Sequence, residues 1–462
     1  MTGKLIETPS LTQLAAQRLK NVAESDISPK VRRKAWCCLL DHIGACIQGL
    51  QAPWAIALLN YAERNRGVPQ AYQWGLPFKV NAETAAFTNG AIGHSVIRDD
   101  MHLASGSHIG VLVIPAALAL AQRDDWSGRA LIRGIVGGYE MAARLGAALQ
   151  VGIVNPHFRP SGITGPFGAA SAAIVGANLD KEIAVHVLGF AANAGAGVNQ
   201  WPWDGGQEIY THAGNAARAG ISAFDLAQAG MTSSVAVLEG KDGFFAAFGA
   251  GSKGSEAFEA GLRSSDEFGI MSTTFKPFAG CNYIQTPIAA ALKAGQQIHG
   301  RTDDIRGVTI RTFAAARDYP GCNSSGPMDS VQQTKMSIQY SVSSALLFGH
   351  VDEETYRQFS NQELLRLIGC CSIDIDPDYD SLVSKGMQPA AVEVQLSDGT
   401  VYSAALADVP WLGENEVIER FQKESAGVLL ATRQKLVSLA DELWESEDCS
   451  ALFEALGSSV LL

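Results

Sequence analysis

Asn89-Gly-Ala-Ile-Gly-His94-Ser-Val-Ile-Arg98-Asp99-Asp100-Met-His102-Leu-Ala-Ser-Gly-Ser-His108-Ile-Gly110, leading directly into Val111-Leu-Val-Ile-Pro115-Ala-Ala-Leu-Ala-Leu, joins a charged loop to an apolar segment. Three histidines, two adjacent carboxylates and an arginine fall within residues 94–108. The apolar run that follows reads as a buried helix, with Pro115 near its start, where a missing N–H costs little. Solubility alone does not explain titratable groups packed so densely beside a buried element. Proton-transfer chemistry does, because it needs such groups against a low-dielectric wall that moves their pKa values toward neutrality.

Outward from that stretch, helical periodicity dominates residues 11–262, with apolar spacing clear over 30–47, 130–149 and 181–194. Glycine is abundant, at 47 residues, and often sits beside alanine, as in Gly168-Ala-Ala-Ser-Ala-Ala-Ile-Val-Gly176. Small residues let helix backbones approach, and packing must offset their poor helix propensity. The pattern changes near Phe268. Residues 305–313 and 391–396 alternate like half-buried strands, and Ser397-Asp-Gly399 before Thr400-Val-Tyr-Ser is a hairpin signal. Helical patterns lie at 283–299, 330–348 and 361–369, and helix returns over 414–456. The expected fold is mainly α with a second α+β domain: a large all-helical domain over 1–267 and 404–462, and a smaller α+β lid over 268–403.

Composition narrows the partners. A chain of 462 residues, 47% hydrophobic and 18% charged, can bury a large core. A net charge of −12 argues against nucleic acid, and the apolar runs are too short or too polar to span a bilayer. The eight cysteines, including the pairs Cys37-Cys38 and Cys370-Cys371, match neither a zinc site nor a disulfide framework. With no signal-peptide pattern at the N-terminus, a cytoplasmic location is expected. Asp99, Asp100, His102 and His108 are conceivable metal ligands, but their spacing fits no recognised site, so no metal is expected. No Gly-x-Gly-x-x-Gly follows a strand in a βαβ context, which disfavours nicotinamide chemistry.

Asn89-Gly90, His94, Asp99-Asp100, His108 and Pro115-Ala-Ala-Leu-Ala resemble the N-terminal signature of the MmgE/PrpD family. Further matches follow in order: Phe158-Arg-Pro-Ser-Gly-Ile-Thr-Gly165-Pro-Phe-Gly168, His212-Ala-Gly-Asn-Ala-Ala217, Phe275-Lys-Pro-Phe278 and Lys335-Met-Ser-Ile-Gln-Tyr340. The resemblance covers nearly the whole chain. It implies a site in the cleft between a helical domain and an α+β lid, a homodimer, and no cofactor. The family includes 2-methylcitrate dehydratases, cis-aconitate decarboxylases and an iminodisuccinate epimerase. Dehydratase and decarboxylase members usually carry an Asp where this chain has Ile97, a His where it has Arg159, a Lys where it has Ile209 and a His where it has Cys281.

The family's reactions all move a proton at a carbon next to a carboxylate. A chain that lacks the acid for a leaving group but keeps a base and a cation is left with deprotonation and reprotonation, which is epimerisation. The resemblance makes His108, Lys276 and Tyr319 the catalytic candidates. His108 titrates near neutrality, Lys276 is either an opposite base or a carboxylate clamp, and Tyr319 is a second proton source. Arg98 and Arg159 suit carboxylate recognition, and Asp99, Asp100, Tyr210, His212 and Cys281 complete a substrate pocket. Each has a plainer reading: a core or capping role for His108, a strand end for Lys276, caps or turns for Asp99 and Asp100 and solvation or acid pairing for Arg98. For Arg159 the plainer reading is a brace within its motif, for Tyr210 and His212 pocket walls, for Cys281 filler and for Tyr319 a turn anchor. The expected activity is epimerisation of an imino- or amino-dicarboxylate, iminodisuccinate preferred. The alternative is a dehydratase or lyase acting on a hydroxylated di- or tricarboxylate. A metal-dependent hydrolase and a non-catalytic binding protein are more distant readings.

Overall fold

A computed structural model describes residues 9–151 and 157–458. Helices form the body, and local signals set their starts. Ser10 and Gln13 form a reciprocal capping box before Leu11–Glu24. Ser28 caps Pro29–Gly49, where Pro29 fills the first helical position. Gly128–Val151 and Lys181–Ala192 follow the apolar periodicity of the sequence. The helices Ala82–His94, Pro160–Gly176 and Glu208–Gln228 pack so closely that a Cβ on Gly214 would lie 2.2 Å from the Phe87 carbonyl oxygen.

The apolar segment forms the helix Gly110–Arg123, buried from Gly110 to Ala121. Pro115 lies inside it rather than at its start, so the helix begins further upstream of the proline than the sequence suggests and the Val111 carbonyl loses its usual N–H partner. The helix lacks a side-chain cap at Ile109, but the Asp100 carboxylate accepts the Gly110 N–H at 2.9 Å. That bond folds the charged loop back onto the helix it precedes.

The second part is built on a four-stranded sheet of β1 (Ile305–Thr312), β2 (Cys371–Ile375), β3 (Ala390–Leu396) and β4 (Val401–Leu406), in the order β2-β1-β3-β4. β1 pairs parallel with β2 and antiparallel with β3, and the β3–β4 hairpin turns at Gly399, whose φ is 85°. β2 is absent from the sequence expectation, because its residues alternate between half-buried and exposed positions and carry no apolar stripe. Gln285–Gln297 and Ile338–Phe348 pack beside the sheet. The helical pattern over 330–348 is broken at Lys335–Ser337, where the Ser337 hydroxyl accepts the Tyr340 N–H and starts a new helix. The chain is thus a mainly helical domain with a smaller α+β domain.

Among the described residues two large buried apolar cores stand beside a small cluster of Val111, Leu112, Ala213 and Ala216. One gathers Leu11 to Phe275 together with Val417 to Leu456, and the other gathers Ile284 to Leu396 with Trp54, Ile97, Trp201, Ile209 and Tyr210. The outgoing and returning segments meet at a bridge in which the Leu412 N–H donates to the Phe275 carbonyl at 3.0 Å. Among the described residues, no helix is long and apolar enough to cross a membrane.

Candidate active site

After His94 the chain turns sharply. Ile97 has φ 53°, a left-handed conformation costly for a β-branched side chain, and its carbonyl accepts the Gly280 N–H at 3.1 Å. Met101–His102 then pairs with Thr273–Thr274, fixing the loop against the segment that precedes Lys276. His102 Nδ1 bonds Ser105 Oγ at 2.9 Å inside a tight turn closed by Gly106. His108 follows, held by its own N–H on Ser161 Oγ at 3.1 Å.

The two aspartates have different tasks. Asp99 stands between two imidazoles, with Oδ1 at 3.0 Å from His94 Nδ1 and Oδ2 at 3.0 Å from His108 Nδ1. Burial alone would raise its pKa, but the two histidines together hold it well below the usual carboxylate range. Asp100 carries the helix cap and accepts the Tyr139 hydroxyl, and burial pushes its pKa up to about 7. The side chains of Asp99, Asp100, His102 and His108 therefore face different partners. Among the described residues no three His, Cys, Asp or Glu side chains are grouped to hold a metal ion.

His108 Nδ1 also lies 3.1 Å from the Asp100 carbonyl oxygen, and a carbonyl only accepts. The proton therefore sits on Nδ1, leaving the Nε2 lone pair on a ring that lines an open cavity. Burial lowers the His108 pKa, with Asp99 opposing, so the ring is a neutral base. His94 is held the same way by Asp99, but it is wholly buried and its pKa is lowered by burial to about 3.

The cavity has a volume of about 470 Å³ and lies between the two cores. His108, Arg159, Cys281 and Tyr319 all line it. Arg159 caps the helix Pro160–Gly176, donates to the Ile209 carbonyl at 3.3 Å and lies 5.8 Å above the Trp201 ring. Among the described residues no carboxylate lies within ion-pair distance of its guanidinium. Ile97 and Ile209 line the same cavity, so two of the positions that depart from the dehydratase pattern present hydrocarbon to it.

Other candidates lie outside the wall. Arg98 reaches away from the cavity, bonding Asp41 at 2.5 Å, Glu424 at 2.7 Å and the Gln48 side chain at 3.0 Å. It ties the loop to Pro29–Gly49 and to the later helix Glu414–Glu424, in place of the substrate role its sequence suggests. Lys276 Nζ donates to the Ile97 carbonyl at 2.6 Å and the Gly280 carbonyl at 3.1 Å, and burial lowers its pKa to about 8. Tyr210 stacks on Trp54 at 4.6 Å, and Trp54 in turn donates to Ser95 Oγ, so the pair braces the loop. His212 packs against Gly197, and burial lowers its pKa to about 4.

Sequence reading overlooked Tyr283, Asn282 and Trp201, which line the cavity, and Cys322, whose sulfur lies 3.7 Å from Cys281 Sγ. Proximity of Asn282 and Tyr283 to Cys281 was a usable signal. Nothing in the sequence links Cys322 to it.

The comparisons with known proteins agree with this architecture. The MmgE/PrpD N-terminal domain matches residues 13–256 and the MmgE/PrpD C-terminal domain matches residues 278–446. Cis-aconitate decarboxylase of Mus musculus is 24% identical to the chain, covering 98% of it and 94% of the relative. Cis-aconitate decarboxylase of Homo sapiens is also 24% identical, over 96% of the chain and 94% of the relative. With a helical domain and an α+β domain matched in order across most of its length, this chain belongs to the MmgE/PrpD family.

Proposed function

We propose that the cavity catalyses cofactor-independent proton transfer at a carbon next to a carboxylate of a small polycarboxylate, and that the reaction is epimerisation of an imino-dicarboxylate such as iminodisuccinate. One observation carries this reading. A neutral histidine base and an arginine that has no carboxylate partner among the described residues line a cavity to which Ile97 and Ile209 present only hydrocarbon. His108 Nε2 takes the α-proton, and the electron pair moves into the carboxylate. Arg159 holds the resulting charge through N–H donors directed at it. Asp99 stabilises the imidazolium that forms, and Lys276 fixes the Ile97 turn while adding positive potential behind the wall.

The test is proton NMR of chelator-treated protein with a single iminodisuccinate stereoisomer in deuterated water. Interconversion of diastereomers with deuterium entering at the α-carbon is expected. An unchanged spectrum removes this substrate. The likeness to cis-aconitate decarboxylases favours a second reading, a lyase acting on a hydroxylated di- or tricarboxylate. An unsaturated product, seen as ultraviolet absorbance, would select it. The reading also takes the enzyme as a cytoplasmic homodimer whose α+β lid spans 268–403. Sedimentation at the monomer mass would remove the dimer.

A further inference from the structure

An epimerase working on both faces of a planar intermediate needs a second proton carrier, and the cavity wall offers few. Its titratable side chains are His108, Arg159, Cys281, Tyr283, Asp318 and Tyr319. Arg159 does not give up its proton near neutrality. Burial moves Tyr283 and Tyr319 further above the ordinary phenol value, away from neutral exchange. Asp318 is exposed and paired with Arg317 at 2.7 Å. Lys276 is not on the wall, and its ammonium is held by two carbonyls. Cys281 remains.

We propose that Cys281 is the second acid–base group, transferring a proton to and from the face of the α-carbon opposite to that served by His108. The inference rests on the epimerase reading above. The two groups approach the cavity from different parts of the fold. His108 comes from the loop of the helical body, whereas Cys281 comes from the start of the helical run 282–297 in the second core. Arg159, buried and without a carboxylate partner among the described residues, lies on the wall they share, where it would hold a substrate carboxylate.

The surroundings of Cys281 Sγ suit a thiolate. Cys322 Sγ lies 3.7 Å away, close enough for either thiol to donate to the other, so a Cys281 thiolate would accept from the Cys322 S–H. The Tyr283 backbone N–H, Lys276 and Arg159 add positive potential at the thiol. Led by the Cys322 bond and opposed by burial, these donors lower the Cys281 pKa, the reverse of the direction seen at Cys37, Cys38, Cys46 and Cys449.

The proton count closes without another reactant. In one direction neutral His108 takes the α-proton while the Cys281 S–H bond breaks and its proton adds to the opposite face, leaving imidazolium and thiolate. In the other direction that thiolate takes the α-proton and the imidazolium returns one. The two resting forms hold the same number of protons and interconvert through solvent.

The experiment follows a single iminodisuccinate stereoisomer in deuterated water with wild type, Cys281→Ser and His108→Asn. Wild type interconverts the diastereomers. Cys281→Ser is expected to lose interconversion at least 100-fold, yet still to exchange deuterium with retention at the face His108 serves, within about tenfold of wild type. Interconversion by Cys281→Ser at more than about a tenth of the wild-type rate overturns the proposal while leaving the epimerase reading intact. Absence of any exchange in wild type overturns both. Iodoacetamide labelling of native wild type, mapped by mass spectrometry, needs no variant to fold. Labelling of Cys281 ahead of the other cysteines, with a midpoint below the free-thiol range, supports the proposal, and an inert Cys281 overturns it.

Discussion

Two arginines in this protein are buried almost equally, Arg98 at 3% exposure and Arg159 at 5%, yet their surroundings are opposite. Arg98 is enclosed by Asp41, Glu424 and Gln48, and these acids outweigh burial and raise its pKa. Arg159 lines a cavity and, among the described residues, hydrogen-bonds only the Ile209 carbonyl, and burial lowers its pKa. A buried charge must be compensated. At Arg98 the protein itself compensates it, and the result is architecture: the arginine knots the loop, the helix Pro29–Gly49 and the helix Glu414–Glu424 together. At Arg159 the described residues supply only the Ile209 carbonyl and the Trp201 ring.

The contrast can be broken by paired substitutions. Arg98→Ala removes the ion-pair partner of Glu424 and leaves Asp41 with Arg420, and is expected to cost about 3 kcal/mol of stability, measured by denaturant unfolding. Arg159→Ala should leave the unfolding midpoint unchanged or raised while lowering kcat/KM about 100-fold. Equal losses of stability in the two variants would end the distinction. The Asn substitution at His108 keeps much of the ring's volume but removes the base, so kcat should fall about 1000-fold with the midpoint little changed.

Acid should expose how much of this site is buried neutral imidazole. His42, His94, His102 and His212 have pKa values lowered by burial to about 4, 3, 4 and 4. Below their unfolded value of about 6.5 the unfolded chain binds protons that the native state refuses, so stability rises with pH across this window and falls on acidification. Asp100, raised to about 7, acts in the opposite sense, as do Glu83 and Glu424, whose pKa values are also raised. The histidines outnumber them, and a net loss on the order of 3 kcal/mol is expected between pH 6.5 and 4.5. A flat stability profile over that range would mean the imidazoles are solvated. The smallest effect belongs to Ser161→Ala. It removes the acceptor of the His108 N–H and should cost about 1 kcal/mol of stability, with at most about a tenfold fall in kcat.

Much of the candidate site was legible because its residues are close in sequence. His94, Asp99, Asp100 and His108 lie within one loop, and the helix after it was marked by its apolar run. Arg159, Cys281 and Tyr319 came from family motifs and their departures, and all three line the cavity with His108. Arg98 was misread because its partners, Asp41 and Glu424, lie on helices distant in the chain. β2 was missed because an edge strand with exposed alternate residues carries little hydrophobic signal. The division of 330–348 into two helices depended on one serine cap inside a continuous apolar pattern.

By itself the sequence determined the helical character of the body, the α+β character of residues following Phe268 and the family, because periodicity and ordered motifs are properties of neighbouring residues. Only the tertiary structure decided which charges are satisfied. The Asp100 carbonyl that sets the His108 tautomer, the acids that close around Arg98, and the Cys322 thiol beside Cys281 depend on distance in space. Electrostatic compensation acts over a few ångströms whatever the separation along the chain, and it distinguishes Arg98, closed in by two acids, from Arg159, which has no carboxylate within ion-pair distance among the described residues.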